Sequence, residues 1–281
     1  MTDLPASDVV SAEVADHIAT IWLDRPDQRN AMGPAFWTDF PATVEAVSAD
    51  PDVRVILVAA RGPAFTVGID LKAFGPILAS GSLDPEADTP SPVAERRATY
   101  QMIKRLQDTF TSMARAPQPV ICAIHGWCIG GGMNLITAAD IRYASADAMF
   151  SFRETKIAIV ADVGAMQRMP RIVEPGRLAE IVYTGKDFAA DEAREVGLVS
   201  SILPDQEATM AHASATAAAI AANSPLAVQG AKRILRNTDR MVIEDQLDYV
   251  ALWNSAFVTS SDLTEAMMAF LEKRPPEFTG H

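Results

Sequence analysis

Glycine collects in this chain where a strand hands over to a helix. Val120–Ile124 is a short apolar run set between Pro119 and Gly126, the pattern of a buried strand. Gly130, Gly131 and Gly132 follow, and residues 133–139 are apolar and compatible with a helix. The first amides of a helix have no intrahelical acceptors, and the dipole there favours negative charge. Glycine, lacking a Cβ, lets a ligand approach the backbone. Such a place suits an anion, or an oxygen that gains charge during a reaction; the same three glycines, taken alone, also make a tight turn. A second turn of this kind lies upstream, where residues 53–60 lead through Arg61-Gly62-Pro63-Ala64 to Phe65-Thr66-Val67-Gly68-Ile69-Asp70-Leu71. Two such turns can each direct one backbone N–H at a single oxygen. Gly126-Trp127-Cys128-Ile129-Gly130 also has the form of a nucleophile elbow with Cys in place of Ser. That chemistry needs an acid and a His further along, and the later histidines are His212, in an Ala-rich helix, and His281, the last residue.

These turns need a layered scaffold, and the composition permits one. The chain has 281 residues, 49% hydrophobic and 21% charged, enough for one large core or a core with an appendage. A net charge of −12 argues against a general binder of nucleic acid or of membrane surfaces. Cys122 and Cys128 sit inside the apolar stretch and read as small core residues of a reducing compartment. No apolar run approaches the roughly 20 residues that span a bilayer, and the acidic N-terminus lacks a secretory pattern. A cytoplasmic protein is expected, with no tandem metal-ligand spacing.

Along the chain, residues 9–24 alternate as a hairpin and stop at Asp24-Arg25-Pro26-Asp27. Phe36, Trp37, Phe40, Val44 and Val47 recur at helical spacing in a helix opened by Asn30 or Gly33. Residues 75–93, rich in Pro, Gly and acids, read as a surface loop. A helix over 96–115 turns Met102, Ile103, Leu106, Phe110 and Met113 inward. Short strands are expected at 141–143 and 149–152, and after Gly164 a helix reaches Pro170 or crosses it. Strands alternating with helices imply an α/β core over 1–205. Beyond it the strand signal fades into helices over 206–223, from a Ser224-Pro225 start to about 236, and over 242–257. A last helix opens on Asp262 with Glu265 as a capping box. The region 206–281 is therefore a helical appendage for packing or oligomerisation.

Several of these pieces together resemble the crotonase (enoyl-CoA hydratase/isomerase) superfamily over nearly the whole chain. They are the run from Phe65 to Leu71, Pro119-Val120-Ile121-Cys122-Ala123-Ile124-His125-Gly126, Gly130-Gly131-Gly132, Ala139-Asp140-Ile141-Arg142 and the tail Glu272-Lys273-Arg274. The resemblance implies a crotonase-like spiral of ββα units with a C-terminal helical region that forms a homotrimer or hexamer. It implies an acyl-CoA thioester as substrate, with coenzyme A part of the substrate and no separate cofactor. By position, the oxyanion hole is made by the amides of Ile69 and Gly131.

The resemblance places catalytic identity in acids around the thioester. A two-glutamate hydratase would carry a glutamate where this chain has Asn134, and a second at Glu154. An amide cannot serve as a carboxylate base. The likeness is nearer to Δ3,5-Δ2,4-dienoyl-CoA isomerases, carried by Ala161-Asp162-Val163-Gly164, Gln167-Arg168, Pro170, Arg29-Asn30-Ala31-Met32 and Ala227-Val228-Gln229-Gly230. It implies three acids, of which Glu154 and Asp162 are present as the proton-transfer pair; the third position holds Asn134, an isosteric amide that can still hydrogen-bond and reads as an orienting group. On the residues alone, Glu154 also reads as a solvated strand-end charge, Asp162 as a helix cap and Asn134 as a helix residue bonding the backbone. Arg25, Arg29, Lys72 and Lys273 are implied as contacts for the coenzyme A moiety. A hydratase and a non-catalytic acyl-CoA binder are the alternatives.

Overall fold

Apolar runs of five or six residues alternate with amphipathic stretches, and each takes the form its period demands. The computed structural model describes residues 4–80, 91–237, 242–257 and 260–281. In chain order the elements are β1 (Val10–Ala15), β2 (Ile18–Leu23), α1 (Phe36–Ala49), β3 (Val55–Ala60), α2 (Leu71–Ser80) and α3 (Pro92–Arg115). Next come β4 (Val120–Ile124), β5 (Trp127–Ile129), α4 (Gly131–Ile136), β6 (Ile141–Ser145), β7 (Met149–Ser151), α5 (Ala165–Arg168) and α6 (Pro175–Thr184). The chain ends with β8 (Asp187–Ala189), α7 (Ala190–Glu195), β9 (Ser201–Leu203), α8 (Gln206–Ala221), α9 (Pro225–Asn237), α10 (Ile243–Phe257) and α11 (Ser261–Glu272).

The main sheet has the order β1-β2-β3-β4-β6-β9, and only the β1–β2 hairpin is antiparallel. β3 and β4 are buried along their whole length, as uninterrupted Val/Ile-rich strands of a doubly covered parallel sheet should be. A smaller sheet, β5-β7-β8, is extended by isolated bridges between Thr66 and Cys128 and between Met32 and Ile69. The chain thus repeats one unit: a strand in the main sheet, a strand or bridge in the small one, then a helix. β3, the 66–69 bridges and α2 make one turn of the spiral; β4, β5 and α4 make the next.

On one face of the main sheet, Phe36, Trp37 and Phe40 of α1 interlock with Phe110 of α3. Phe40 and Phe110 are wholly buried, and truncating either would cost about 3–5 kcal/mol. The other face is closed by α8, whose Ala213, Ala217 and Ala221 recur every fourth residue and pack on Leu57, Ile121 and Tyr143. Core packing therefore continues past residue 205, and the helices beyond the layered core are α9, α10 and α11.

Two local expectations change. Residues 75–80 are helical, because Phe74, wholly buried and edge-on to Trp37, anchors α2 ahead of the Gly75–Pro76 pair; the rest of the expected loop, 81–90, lies outside the described residues. The last helix is capped by Ser260, whose hydroxyl accepts from the Leu263 amide. Asp262 is buried instead, accepting from Ser224 and from the amides of Thr279 and Gly280, so it ties down the chain end. Among the described residues no helix is long and apolar enough to cross a membrane.

Candidate active site

The two glycine turns meet. Gly68 has φ +80°, and an added Cβ would stand 2.7 Å from the Ile129 carbonyl oxygen and 3.1 Å from the Gly131 nitrogen. A Cβ on Gly131 would in turn lie 3.7 Å from the Ile69 nitrogen. The backbones touch because neither residue has a side chain to hold them apart. Gly130, at φ 51° and ψ −108°, turns the chain into α4 in a conformation L-residues avoid. The neighbouring amides are all spoken for: Met32 donates to Gly68, Asp70 to Met32, Ile129 to Thr66 and Gly130 to Ser151. The amides of Ile69 and Gly131 have no acceptor among the described residues.

Charged and polar side chains brace the Ile69 turn. Arg25 donates from Nη1 to Asp70 Oδ2 at 3.0 Å and to the Ala31 carbonyl at 3.1 Å. Asp70 also accepts from the amides of Lys72 and Ala73. Burial raises its pKa, but these bonds and the Arg25 charge carry it below the ordinary value. Asn30, buried in a left-handed conformation, accepts from the Arg25 amide and donates to the carbonyls of Arg61 and Ala64. Thr66 donates to the Asn30 carbonyl and accepts from the Gly68 amide. Arg25 therefore holds the turn through Asp70. Arg29 is exposed on the same loop, its carbonyl accepting from Val67, and Lys72 is exposed at the start of α2. Lys273 is an exposed residue capping the end of α11 and joins none of these.

The acids lie on the Gly130 side. A Cβ on Gly130 would be 3.8 Å from both carboxylate oxygens of Glu154. Asn134, 1% exposed, sits one turn into α4. Its Nδ2 donates to Glu154 Oε1 at 3.0 Å and to the Gly130 carbonyl at 3.1 Å, while its Oδ1 accepts from the Ala165 amide at 2.8 Å. That last bond fixes which end of the amide faces Glu154. Glu154 Oε2 is buried and unpartnered. Burial lifts the Glu154 pKa, and the charge of Asp162 pushes it further, against the Asn134 bond. Asp162 is likewise raised by burial, and the Gln107 side chain donates to its carbonyl at 2.8 Å. Glu154 and Asn134 thus stand together beside Gly130, with Asp162 near enough for its charge to act on Glu154. Cys128 is buried with its pKa pushed well up by burial, the opposite of an activated thiolate. No group of three His, Cys, Asp or Glu that could hold a metal ion occurs among the described residues.

The supporting roles of Asn30, Thr66, Gln107 and Arg25 were beyond sequence reading, although Asn30 stands in the Arg29-Asn30-Ala31-Met32 run. These partners lie 31 to 55 residues away, and no local period reports such pairings.

Two open amides beside two acids of raised pKa can polarise a carbonyl and move protons on the carbons next to it. This is the equipment of an acid–base enzyme that works through a stabilised oxyanion. The chain belongs to the enoyl-CoA hydratase/isomerase family, whose model matches residues 13–281. It is 40% identical over 261 residues to the mitochondrial Δ(3,5)-Δ(2,4)-dienoyl-CoA isomerase of Rattus norvegicus, covering 92% of this chain and 77% of that protein. The peroxisomal Δ(3,5)-Δ(2,4)-dienoyl-CoA isomerase of Arabidopsis thaliana is 40% identical over 256 residues, covering 91% and 90%. Among solved structures, an enoyl-CoA hydratase from Bacillus anthracis superposes with a TM-score of 0.85 at 29% identity, covering 97% of this chain and all of that one. The fold is thus the crotonase fold that the strand–bridge–helix repeat describes.

Proposed function

We propose that this protein isomerises a Δ3,5-dienoyl-CoA ester to its Δ2,4 isomer. The thioester oxygen accepts from the Ile69 and Gly131 amides. Ionised Asp162 removes a proton from C2, giving a trienolate whose charge rests on the held oxygen and is shared along the chain to C6. Glu154 then gives a proton to C6, and the double bonds settle at 2 and 4. Solvent resets both acids. The observation that carries this reading is Glu154 Oε2, a buried oxygen without a partner among the described residues, beside Gly130, which leads into the open Gly131 amide. With Oε1 accepting from Asn134, Oε2 is the oxygen free to carry the transferable proton, and burial, which raises the Glu154 pKa, favours that protonated form.

Hydration is the competing reaction, since hydratases share the fold. Asn134 weighs against it: both its nitrogen-borne hydrogens and its oxygen are engaged inside the protein, so a hydratase would have to activate water through Glu154 without a second glutamate at this position. Incubation with a 3,5-dienoyl-CoA and with crotonyl-CoA, each followed by absorbance, separates the reactions. A 2,4-diene from the first supports isomerisation; turnover of crotonyl-CoA alone favours hydration, and binding without turnover of either makes the protein a carrier.

Arg29, Lys72 and Lys273 are proposed to meet the nucleotide and phosphates of coenzyme A, with Arg25 acting through Asp70; no further cofactor is called for. A homotrimer or hexamer is proposed because α10 and α11 leave Ile243, Leu247, Leu252, Met267, Phe270 and Leu271 exposed. Sedimentation reads the assembly directly. The acidic chain with its two unpaired, buried cysteines is assigned to the cytoplasm.

A further inference from the structure

A cleft of about 1240 Å³ opens against the turn that follows Asp162, between α3, residues 163–172 and α9. Its charge opposes that of the molecule. Among the described residues Arg115, Arg142, Arg168, Arg171, Lys232 and Arg236 line it, against the one carboxylate of Asp140, in a chain whose net charge is −12. Asp140 is already shared, accepting from Lys232 at 2.9 Å, from Arg236 at 3.2 Å and from the Val120 amide at 2.8 Å. Arg142 is tied into the floor by the carbonyls of Leu198 and Ala139. The excess shows in the protonation equilibria. Burial, with Arg236 adding to it, lowers the Arg168 pKa to about 10. Burial lowers that of Lys232 to about 8, against the pull of Asp140.

Arg168 is the group left open. Its Nη2 donates to the Thr111 hydroxyl at 3.1 Å, while Nη1 is buried and has no acceptor among the described residues. Its guanidinium fills the space a Cβ on Gly164 would need. An arginine cannot discharge at neutral pH, so a desolvated N–H facing surplus positive charge is stabilised only by an acceptor that brings negative charge. A tetrahedral or planar oxyanion fits the planar fork of a guanidinium.

We infer that this cleft is a binding site for a small oxyanion of the phosphate type, seated on Arg168 and flanked by Arg236 and Lys232. The site is separate from the proposed reaction and does not depend on it. Because Arg168 lies against Gly164, between Asp162 and the Ala165 amide that keys Asn134, an anion there braces the turn carrying the acids.

Inorganic phosphate is the probe, exchanged for chloride at constant ionic strength while the melting temperature is recorded. The expected result is a saturable rise, absent in Arg168→Gln and shifted about 10-fold to higher phosphate in Arg236→Gln, as suits loss of one charged hydrogen bond. If Arg168→Gln does not fold, Arg168→Lys is used; it keeps the charge, loses the fork and should weaken the response. Four results overturn the inference. They are no saturable rise, a rise unchanged in the variants, a rise that coenzyme A abolishes by competition, and a fall in solution mass of Arg168→Gln without any phosphate response. The last would assign the acceptor to a carboxylate of a second copy.

Discussion

Asp70 and Glu154 are the same chemistry on opposite sides of one pair of amides, and the fold treats them oppositely. Asp70 faces Arg25 and the amides of Lys72 and Ala73, and its carboxylate is held below the ordinary pKa. Glu154 has one side-chain donor, Asn134, one oxygen without a partner and a pKa raised by burial. A fully bonded acid cannot exchange a proton cheaply, so Asp70 fixes the position of the Ile69 amide. A half-bonded, desolvated acid can, so Glu154 is the one available for transfer. Ionisable residues near a site are thus sorted by what satisfies them, more than by their distance from it.

The sharpest way to break that division is to neutralise each acid in turn. Glu154→Gln and Asp162→Asn should each lower kcat by about 100- to 10,000-fold with KM little changed, measured by dienoyl-CoA isomerisation. Asp70→Asn should retain most of kcat; an equal loss there would erase the distinction. Next in size is Gly68→Ala. Its Cβ would press on the Ile129 carbonyl and the Gly131 amide, spreading the two amides, and a loss of about 100- to 1000-fold is expected, as for a missing oxyanion donor. The smallest effect concerns stability. The raised pKa of Glu154 means that the folded state holds this proton more tightly, so its contribution is full at acid pH and is lost as pH rises through the folded value. For Asp70 the sign reverses: its contribution is present above the unfolded pKa and is lost as pH falls through the lowered folded value. Urea denaturation at neutral pH should therefore show Glu154→Gln more stable than the parent and Asp70→Asn less stable. The same sign for both would contradict the sorting.

What the sequence made legible follows from range. Residues 120–132 announce a strand, a glycine turn and a helix through their own order, and the structure supplies β4, β5 and α4 there. The hairpin, the buried strand β3 and the inward face of α3 follow equally from local period. The meeting of Gly68 with Gly131 depends on two turns more than 60 residues apart, so the shared position of their amides came only from the family resemblance. The orientation of Asn134 was illegible because the Ala165 amide decides it, 31 residues further on. Asp262 misled for a related reason: its spacing to Glu265 mimics a capping box, but the chain end folds back and claims its carboxylate, leaving the cap to Ser260.

The central claim, that one acid takes a proton at C2 while a different one supplies C6, is tested most directly by turning over a 3,5-dienoyl-CoA in deuterium oxide and locating the label. Two solvent-exchanged acids should give a 2,4-diene with one deuterium at C6. An unlabelled 2,4-diene would mean a single group carrying the same proton along the chain, and a hydroxyacyl product would mean hydration; either contradicts the assignment of Asp162 and Glu154.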